Sequence, residues 1–543
     1  MQKLSYDKGI TGIPLKTDTI IRNLAKTVEL FGSREALIVK SQGYRATYAE
    51  FFEEVKLAAK ALMVEGIKKG DRVGIWAPNR YEWVIIQYAT AFIGAILVNI
   101  NPAYKSKELQ YALNQSGLRM LIMSKGFRKT DYMEILSKVR ENITALQHIV
   151  VLETNWTEFL KKGEFVSDES LWNVEASLDT EDPINIQYTS GTTGYPKGAT
   201  LTHYNILNNG FFIGERMHYS ENDRVCIPVP FYHCFGMVLG NLACTTHGSC
   251  MVIPGETFDP VLVMQTVQDE KCTSLYGVPM MFIAELAHPD FKKFDFSSLR
   301  TGIMAGALCP EDTMRKVQSK MNMKEVTICY GMTETSPVST QSFTTDPLER
   351  LVTTVGRVHP HVEIKIIDPE TGEVLPRGER GEICTRGYSV MKGYWENELV
   401  TRQVIDEEGW MHTGDIAEMD EEGFVKITGR IKDMILRGGE NISPFEIEEY
   451  LQLHNKVETA QVIGVPCFKY GEEVMAWVKP LNGYSLTNEE LSEFCRGQIA
   501  TYKIPKYWKF VEEFPATVTG KIRKVEMREI SARELNLQGR ENN

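Results

Sequence analysis

The chain has 543 residues, 43% hydrophobic and 24% charged, which is enough for two or more cores and ordinary for a globular protein. A formal charge of −12 argues against nucleic acid as the main partner, because proteins that track a phosphate backbone present a basic surface. Ten cysteines run from Cys226 to Cys495 without a C-x-x-C pair, so neither a zinc site nor a disulfide framework is suggested.

The N-terminal MQKLSYDKGITG lacks the apolar core of a secretory signal, and a reducing, cytoplasmic setting is expected. The longest apolar run, Trp83 to Ile100, contains Gln87, Tyr88, Thr90 and Asn99. It reads as a buried helix from Val84 to Ile93, a turn at Gly94 and a strand from Ile96, with no transmembrane segment.

From residue 35 to about 335, strand-like runs alternate with helix-length segments: Ala36–Val39 then Tyr48–Glu65, Arg72–Trp76 then Tyr81–Ile93. Met120–Met123, His148–Leu152, Val225–Val229, Cys250–Ile253, Thr301–Met304 and Val326–Cys329 follow. This alternation predicts an α/β fold with two mostly parallel, helix-covered sheets. After Thr335 the texture turns to strand and turn, in Val362–Ile367, Gly381–Arg386 and Gly423–Ile427, which predicts a small β-barrel-like module. From Asp433 a small α+β unit is expected, with helix Pro444–Leu453, strands Thr459–Val465 and Val474–Pro480, helix Asn488–Ile499 and a lysine-rich end. The domains are thus placed at 1–432 and 433–543.

The stretch that organises the rest is Thr189-Ser190-Gly191-Thr192-Thr193-Gly194-Tyr195-Pro196-Lys197-Gly198, between a strand-like Ile184–Tyr188 and a helix-like His203–Arg216. Its glycines allow close backbone approach to an anion, its hydroxyls and N–H groups can donate to phosphate oxygens, and Lys197 supplies charge. It is not a Walker A loop, since Pro196 precedes the lysine and Gly198 stands where a Ser or Thr would meet magnesium. The ten residues resemble the phosphate-binding signature of the acyl-adenylate-forming superfamily, which includes acyl-CoA synthetases, peptide-synthetase adenylation domains and beetle luciferases.

That resemblance extends downstream. Tyr330-Gly331-Met332-Thr333-Glu334-Thr335 closes a predicted strand, and the likeness makes Glu334 the Mg²⁺ ligand, Thr333 a phosphate contact, and Tyr330 and Gly331 neighbours of adenine. Ala305-Gly306-Ala307 resembles the small-residue strip beside adenine. Asp415, in Thr413-Gly414-Asp415, and Arg430, in Gly429-Arg430-Ile431-Lys432-Asp433, inherit contacts to the ribose hydroxyls, and Lys432 inherits the interdomain hinge. His233, in Pro230-Phe231-Tyr232-His233, falls where the family guards its acyl pocket. Lys521 matches the mobile catalytic lysine, and Gly438-Gly439 the loop beside the pantetheine tunnel.

By resemblance, then, the chain is an ATP-dependent acyl-CoA synthetase of the medium-chain branch, using ATP, Mg²⁺ and coenzyme A to convert a small-molecule carboxylate through an acyl-adenylate. Gly331 stands where the family's acetate enzymes carry a tryptophan, so chains longer than acetate are expected in a pocket lined by Phe235, Met237, Val238, Tyr276, Gly277 and Met332. Transfer to a carrier protein, a luciferase-like oxygenase and a nucleotide-binding module without turnover are the alternatives, and a homodimer is left open.

Overall fold

Runs of four residues buried along their whole length have no solvent face to keep polar and become the inner strands of parallel sheets. The computed structural model describes residues 3–189, 196–307, 309–437, 440–467, 469–496, 498–516 and 522–537. They form two compact units, one of Asp7–Ile364 with Thr385–His412, the other of Met1–Tyr6, Lys365–Cys384 and Thr413–Asn543.

The larger unit holds two seven-stranded sheets. One runs Gly393–Tyr394, Lys197–Thr202, Pro183–Thr189, Ile96–Asn99, Arg72–Trp76, Met120–Met123, His148–Val151, parallel from Pro183–Thr189 outward and antiparallel across its first three strands. The other runs Glu325–Thr327, Thr301–Met304, Ser274–Gly277, Arg224–Cys226, Cys250–Ile253, Glu35–Val39, Tyr44–Thr47, and only its last pair is antiparallel. One apolar cluster joins residues of both sheets with the helices Tyr48–Val64, Tyr81–Phe92 and His203–Arg216. Tyr48–Val64 begins at a capping box of Thr47 and Glu50, and Tyr81–Phe92 is buried on every side after its first residue. Gly94, at φ +67°, makes the turn into Ile96–Asn99.

Several elements differ from their expected bounds, among them the helix expected over 488–499, which ends at Cys495. The ladder at Arg224–Cys226 stops before Pro228, which has no N–H to donate. The run expected as one strand over 326–329 divides at Ile328, whose N–H donates to Ser342 Oγ at 2.9 Å while its carbonyl accepts from Ser342 N. Cys329–Gly331 thereby leaves the parallel sheet and pairs with Val338–Gln341 in a three-stranded antiparallel sheet. The lysine-rich end carries a helix, Lys524–Glu534.

The second unit contributes Lys365–Ile367, Gly381–Cys384, Thr413–Met419 and Val425–Arg430 to four successive strands of a five-stranded sheet. It also contains a sheet built on the long antiparallel pair Val457–Cys467 and Gly471–Pro480, with helices Pro444–Gln452, Asn488–Cys495 and Lys524–Glu534. The expected hinge residue, Lys432, falls inside this unit. Among the described residues no helix is long and apolar enough to cross a membrane.

Candidate active site

In the larger unit the site centres on Glu334. Cys329–Gly331 ends, Met332 stays extended, and Thr333–Thr335 makes one tight turn that buries Glu334 to 5% exposure. A buried carboxylate needs partners. Thr189 Oγ1 donates to Glu334 Oε1 at 3.1 Å and Tyr394 OH donates to the same oxygen at 2.9 Å. Both of these donors thus converge on a single oxygen of the carboxylate. Burial first, then the Glu334 charge, pushes the Tyr394 phenol up, so it stays a proton donor. Lys197 begins the strand after the phosphate-type loop, with its Nζ 5.2 Å from the Tyr394 ring centroid. Thr189 and Lys197 are register partners at the loop's two ends, whereas Ser190, Gly191, Thr192, Thr193 and Gly194 lie outside the described residues.

Tyr394 is the member of this cluster that sequence reasoning missed. Sixty positions separate it from Glu334, and a lone tyrosine between Gly393 and Trp395 carries no motif.

The expected adenine strip lies at the carboxyl ends of parallel strands, where open α/β sheets bind ligands. Gly277 pairs with Met304, and Ala305 N donates to Gly277 O at 3.2 Å. Gly306 follows at φ +90°, a conformation that favours glycine, and Ala307 is exposed. Tyr330 is half-buried opposite Thr340. Gly331 has a local cause: a Cβ there would lie 1.6 Å from the Pro337 carbonyl oxygen, so the hairpin itself excludes every side chain.

His233 is half-buried in a turn pinned by amides from neighbouring elements. Phe231 N donates to Asn79 Oδ1 at 2.9 Å, Asn79 Nδ2 donates to Val229 O at 2.9 Å, and Asn99 Nδ2 donates to Tyr232 O at 3.2 Å. Of the expected pocket residues, Met237, Val238 and Tyr276 are fully buried core, and Phe235 and Met332 are half-buried against it. The Tyr276 and Phe235 ring centroids lie 5.8 Å apart.

In the second unit Asp415 and Arg430 are cross-strand partners, and Arg430 Nε lies 2.8 Å from Asp415 Oδ1. Gly414, at φ +71°, donates its N–H to Glu382 Oε1 at 2.9 Å, and Thr413 Oγ1 receives the Asp415 N–H at 3.1 Å. The turn thus presents Asp415 from a fixed backbone. Lys432 sits exposed in the short turn Ile431–Asp433; partial desolvation first, then Arg430's charge, pulls its ammonium down. Gly438 and Gly439 lie outside the described residues, between the register partners Arg437 and Glu440. Arg437 forks onto the buried Glu473 with two 3.0 Å contacts. Lys521 also lies outside the described residues; Ala516 and Ile522 bridge on either side of it, and Lys524 Nζ meets Glu448 at 2.6 Å.

Residues 24–395 match the model of the AMP-binding enzyme family, and residues 446–521 match the AMP-binding enzyme C-terminal domain. The chain is 48% identical to YngI of Bacillus subtilis (strain 168), provisionally named an acyl-CoA synthetase, over 96% of this chain and 98% of that one. It is 42% identical to the mitochondrial medium-chain acyl-CoA ligase ACSF2 of Danio rerio, over 98% of this chain and 91% of that one. The anthranilate CoA ligase AuaEII, solved with anthranoyl-AMP, superposes with a TM-score of 0.85 at 25% identity, covering 97% of this chain and 99% of that one. The chain therefore belongs to the AMP-binding enzyme family and is an ATP-dependent, AMP-forming acyl-CoA synthetase.

Proposed function

We propose that this synthetase works in the cytoplasm on a short- to medium-chain fatty acid longer than acetate, with its chemistry divided among the residues described above. The observation that carries the division is the buried Glu334 carboxylate, on whose Oε1 both Thr189 and Tyr394 converge. Hard oxygen donors of this kind, a carboxylate beside the Thr189 and Thr333 hydroxyls, suit Mg²⁺. When bound, that ion neutralises charge on the nucleotide phosphates.

In the first half-reaction an oxygen of the substrate carboxylate attacks the α-phosphorus of ATP, the bond to the bridging oxygen breaks, and pyrophosphate leaves. In the second, the CoA sulfur attacks the acyl carbonyl carbon, loses its proton to solvent, and displaces AMP. A free carboxylate is a poor acyl donor because oxide would have to leave, whereas AMP leaves readily. Within this scheme the 189–197 loop and Thr333 take phosphate, and Tyr330, Gly331 and the Ala305–Ala307 strip take adenine. Asp415 and Arg430 take the ribose, and His233 guards the acyl site. Lys521 supplies a cation to the first step, Gly438 and Gly439 admit pantetheine in the second, and Lys432 is the hinge between the 1–432 and 433–543 domains.

The likeness to a medium-chain ligase supports the chain length. Each methylene buried in an apolar pocket gains about 0.8 kcal/mol, so activity should rise with length until the pocket is full. The test is AMP formation from ATP and Mg²⁺ with carboxylates from acetate to laurate and with benzoate, each with and without CoA. CoA-dependent turnover peaking at intermediate length is expected. A peak at acetate or benzoate overturns the chain-length reading, and pyrophosphate release indifferent to CoA would point to a carrier-protein acceptor.

A further inference from the structure

The Tyr394 side chain could be read as a buried phenol that found the nearest acceptor. Its surroundings argue for more. The five residues Met391–Trp395 strap two functional elements together: Met391 N donates to Glu334 O at 2.9 Å, Lys392 N to Thr200 O at 3.0 Å, and Trp395 N to Gly198 O at 2.7 Å. Tyr394 pairs with Ala199 on the strand that begins at Lys197, and its own N–H donates to Thr401 Oγ1 at 2.8 Å. The backbone under the ring is therefore tied to the Lys197 strand, the Glu334 turn and a neighbouring helix. The side chain repeats the pattern, with its hydroxyl on Glu334 Oε1 and its face under the Lys197 ammonium. Convergence of Thr189 and Tyr394 on one oxygen is the informative feature, because two donors spread over both oxygens would have satisfied the carboxylate without orienting it.

We propose that Tyr394 is a positioning residue for the adenylation site, holding Glu334 through Oε1 so that Oε2 is presented to the metal of the metal–nucleotide complex, while its ring steadies the phosphate-binding Lys197. This rests on the reading of Glu334 as the Mg²⁺ ligand. Tyr394→Phe separates the two contacts, since it keeps the ring under Lys197 and removes only the hydroxyl.

The experiment measures calorimetric binding of α,β-methylene-ATP, which cannot be cleaved at the adenylation bond, with and without MgCl₂. It uses the full-length wild type, Tyr394→Phe, Tyr394→Ala, Glu334→Gln and the Phe/Gln double variant, with thermal unfolding of each. Tyr394→Phe should lower the Mg²⁺-dependent gain in affinity by about tenfold, the usual size of one lost hydrogen bond to a charged group, and leave metal-free binding within about twofold. Tyr394→Ala should also weaken metal-free binding, by about two- to fivefold, through loss of the ring beneath Lys197. In the Glu334→Gln background Tyr394→Phe should add less than about twofold, because the group it acts through is already gone. Equal weakening with and without Mg²⁺ in Tyr394→Phe, or an undiminished Phe effect in the Gln background, overturns the positioning role. An intact Mg²⁺ gain in Glu334→Gln alone is a different failure, since it removes the metal assignment beneath the proposal.

Discussion

If Asp415 takes the ribose together with Arg430, replacing it with alanine should sharply reduce the enzyme's ability to distinguish ATP from its deoxy analogues. The Asp415 side chain is 6% exposed and its partner Arg430 is 38% exposed, with Nε to Oδ1 at 2.8 Å. A carboxylate is acceptor-only and can receive both ribose hydroxyls, each contributing about 1.5–3 kcal/mol as a hydrogen bond to a charged group. Removing one hydroxyl from the ligand should then cost wild-type binding roughly 10- to 150-fold. The pair itself contributes little to stability, about 0–1 kcal/mol, because the guanidinium remains partly in water after the carboxylate is gone. Calorimetric binding of ATP, 2′-deoxy-ATP and 3′-deoxy-ATP to wild type and Asp415→Ala reads the coupling directly. The expected result is weaker binding of all three to the variant with a much smaller deoxy penalty, Arg430 supplying what remains, and a melting temperature near that of the wild type. A deoxy penalty surviving undiminished in Asp415→Ala would refute the reasoning, because the hydroxyls would then be recognised elsewhere.

Lys521→Ala should slow adenylation by roughly 10²-fold or more while sparing thioester formation from supplied acyl-adenylate; equal loss in both half-reactions, each measured alone, would contradict that division. Gly331→Ala should destabilise the fold by about 1–3 kcal/mol or more, read by denaturant unfolding, because its Cβ would fall 1.6 Å from the Pro337 carbonyl oxygen. His203 is fully buried, accepts the Ile20 N–H on Nδ1 at 3.3 Å, and burial pulls its pKa down to about 3. Since the unfolded chain binds that proton first, near pH 6.5, stability should fall from there as pH drops toward 3, by about 1.4 kcal/mol per unit for this one group. His203→Asn, which keeps an acceptor near the Nδ1 position, should flatten the loss between pH 6.5 and 5 in urea titrations; an unchanged slope would assign it to other groups.

The alternating run from residue 35 to 335 made the two-sheet α/β core legible, because strands buried on both faces are written as unbroken apolar blocks. His203–Arg216 and Cys250–Ile253 begin and end where the sequence places them. What failed to show were features set by partners distant in sequence. The break at Ile328 depends on Ser342, and the Lys524–Glu534 helix, with Met527, Ser531 and Ala532 on its buried side, hides among cations. The site divides the same way. Glu334, Asp415 and Arg430 are visible because each sits in a contiguous motif, and the Asp415–Arg430 contact follows from strand pairing across fifteen residues. Tyr394 is invisible because its role is fixed by tertiary contact alone.

Gly331 shows how a correct residue can carry an incomplete argument. Read as a missing tryptophan, it implies an open acyl pocket; in the fold it is glycine because the Pro337 carbonyl occupies the place of any side chain. Its absence of bulk is thus also required by the backbone of the Cys329–Gly331 hairpin as it stands in this chain, so it does not by itself report the preferred acid. Chain length must instead be set by residues that have a side chain to vary and some freedom to move. Met237, Val238 and Tyr276 are fixed in the core, Met237 by the Asn99 and Gln187 amides on its sulfur and Tyr276 by its hydroxyl on Leu239 O. Phe235 and Met332, half-buried at the margin of that core, remain. Met332 stands two residues before Glu334 and Phe235 two residues after His233. Substitutions at these two positions should therefore move the preferred acid, while changes at Met237 or Tyr276 should first cost stability.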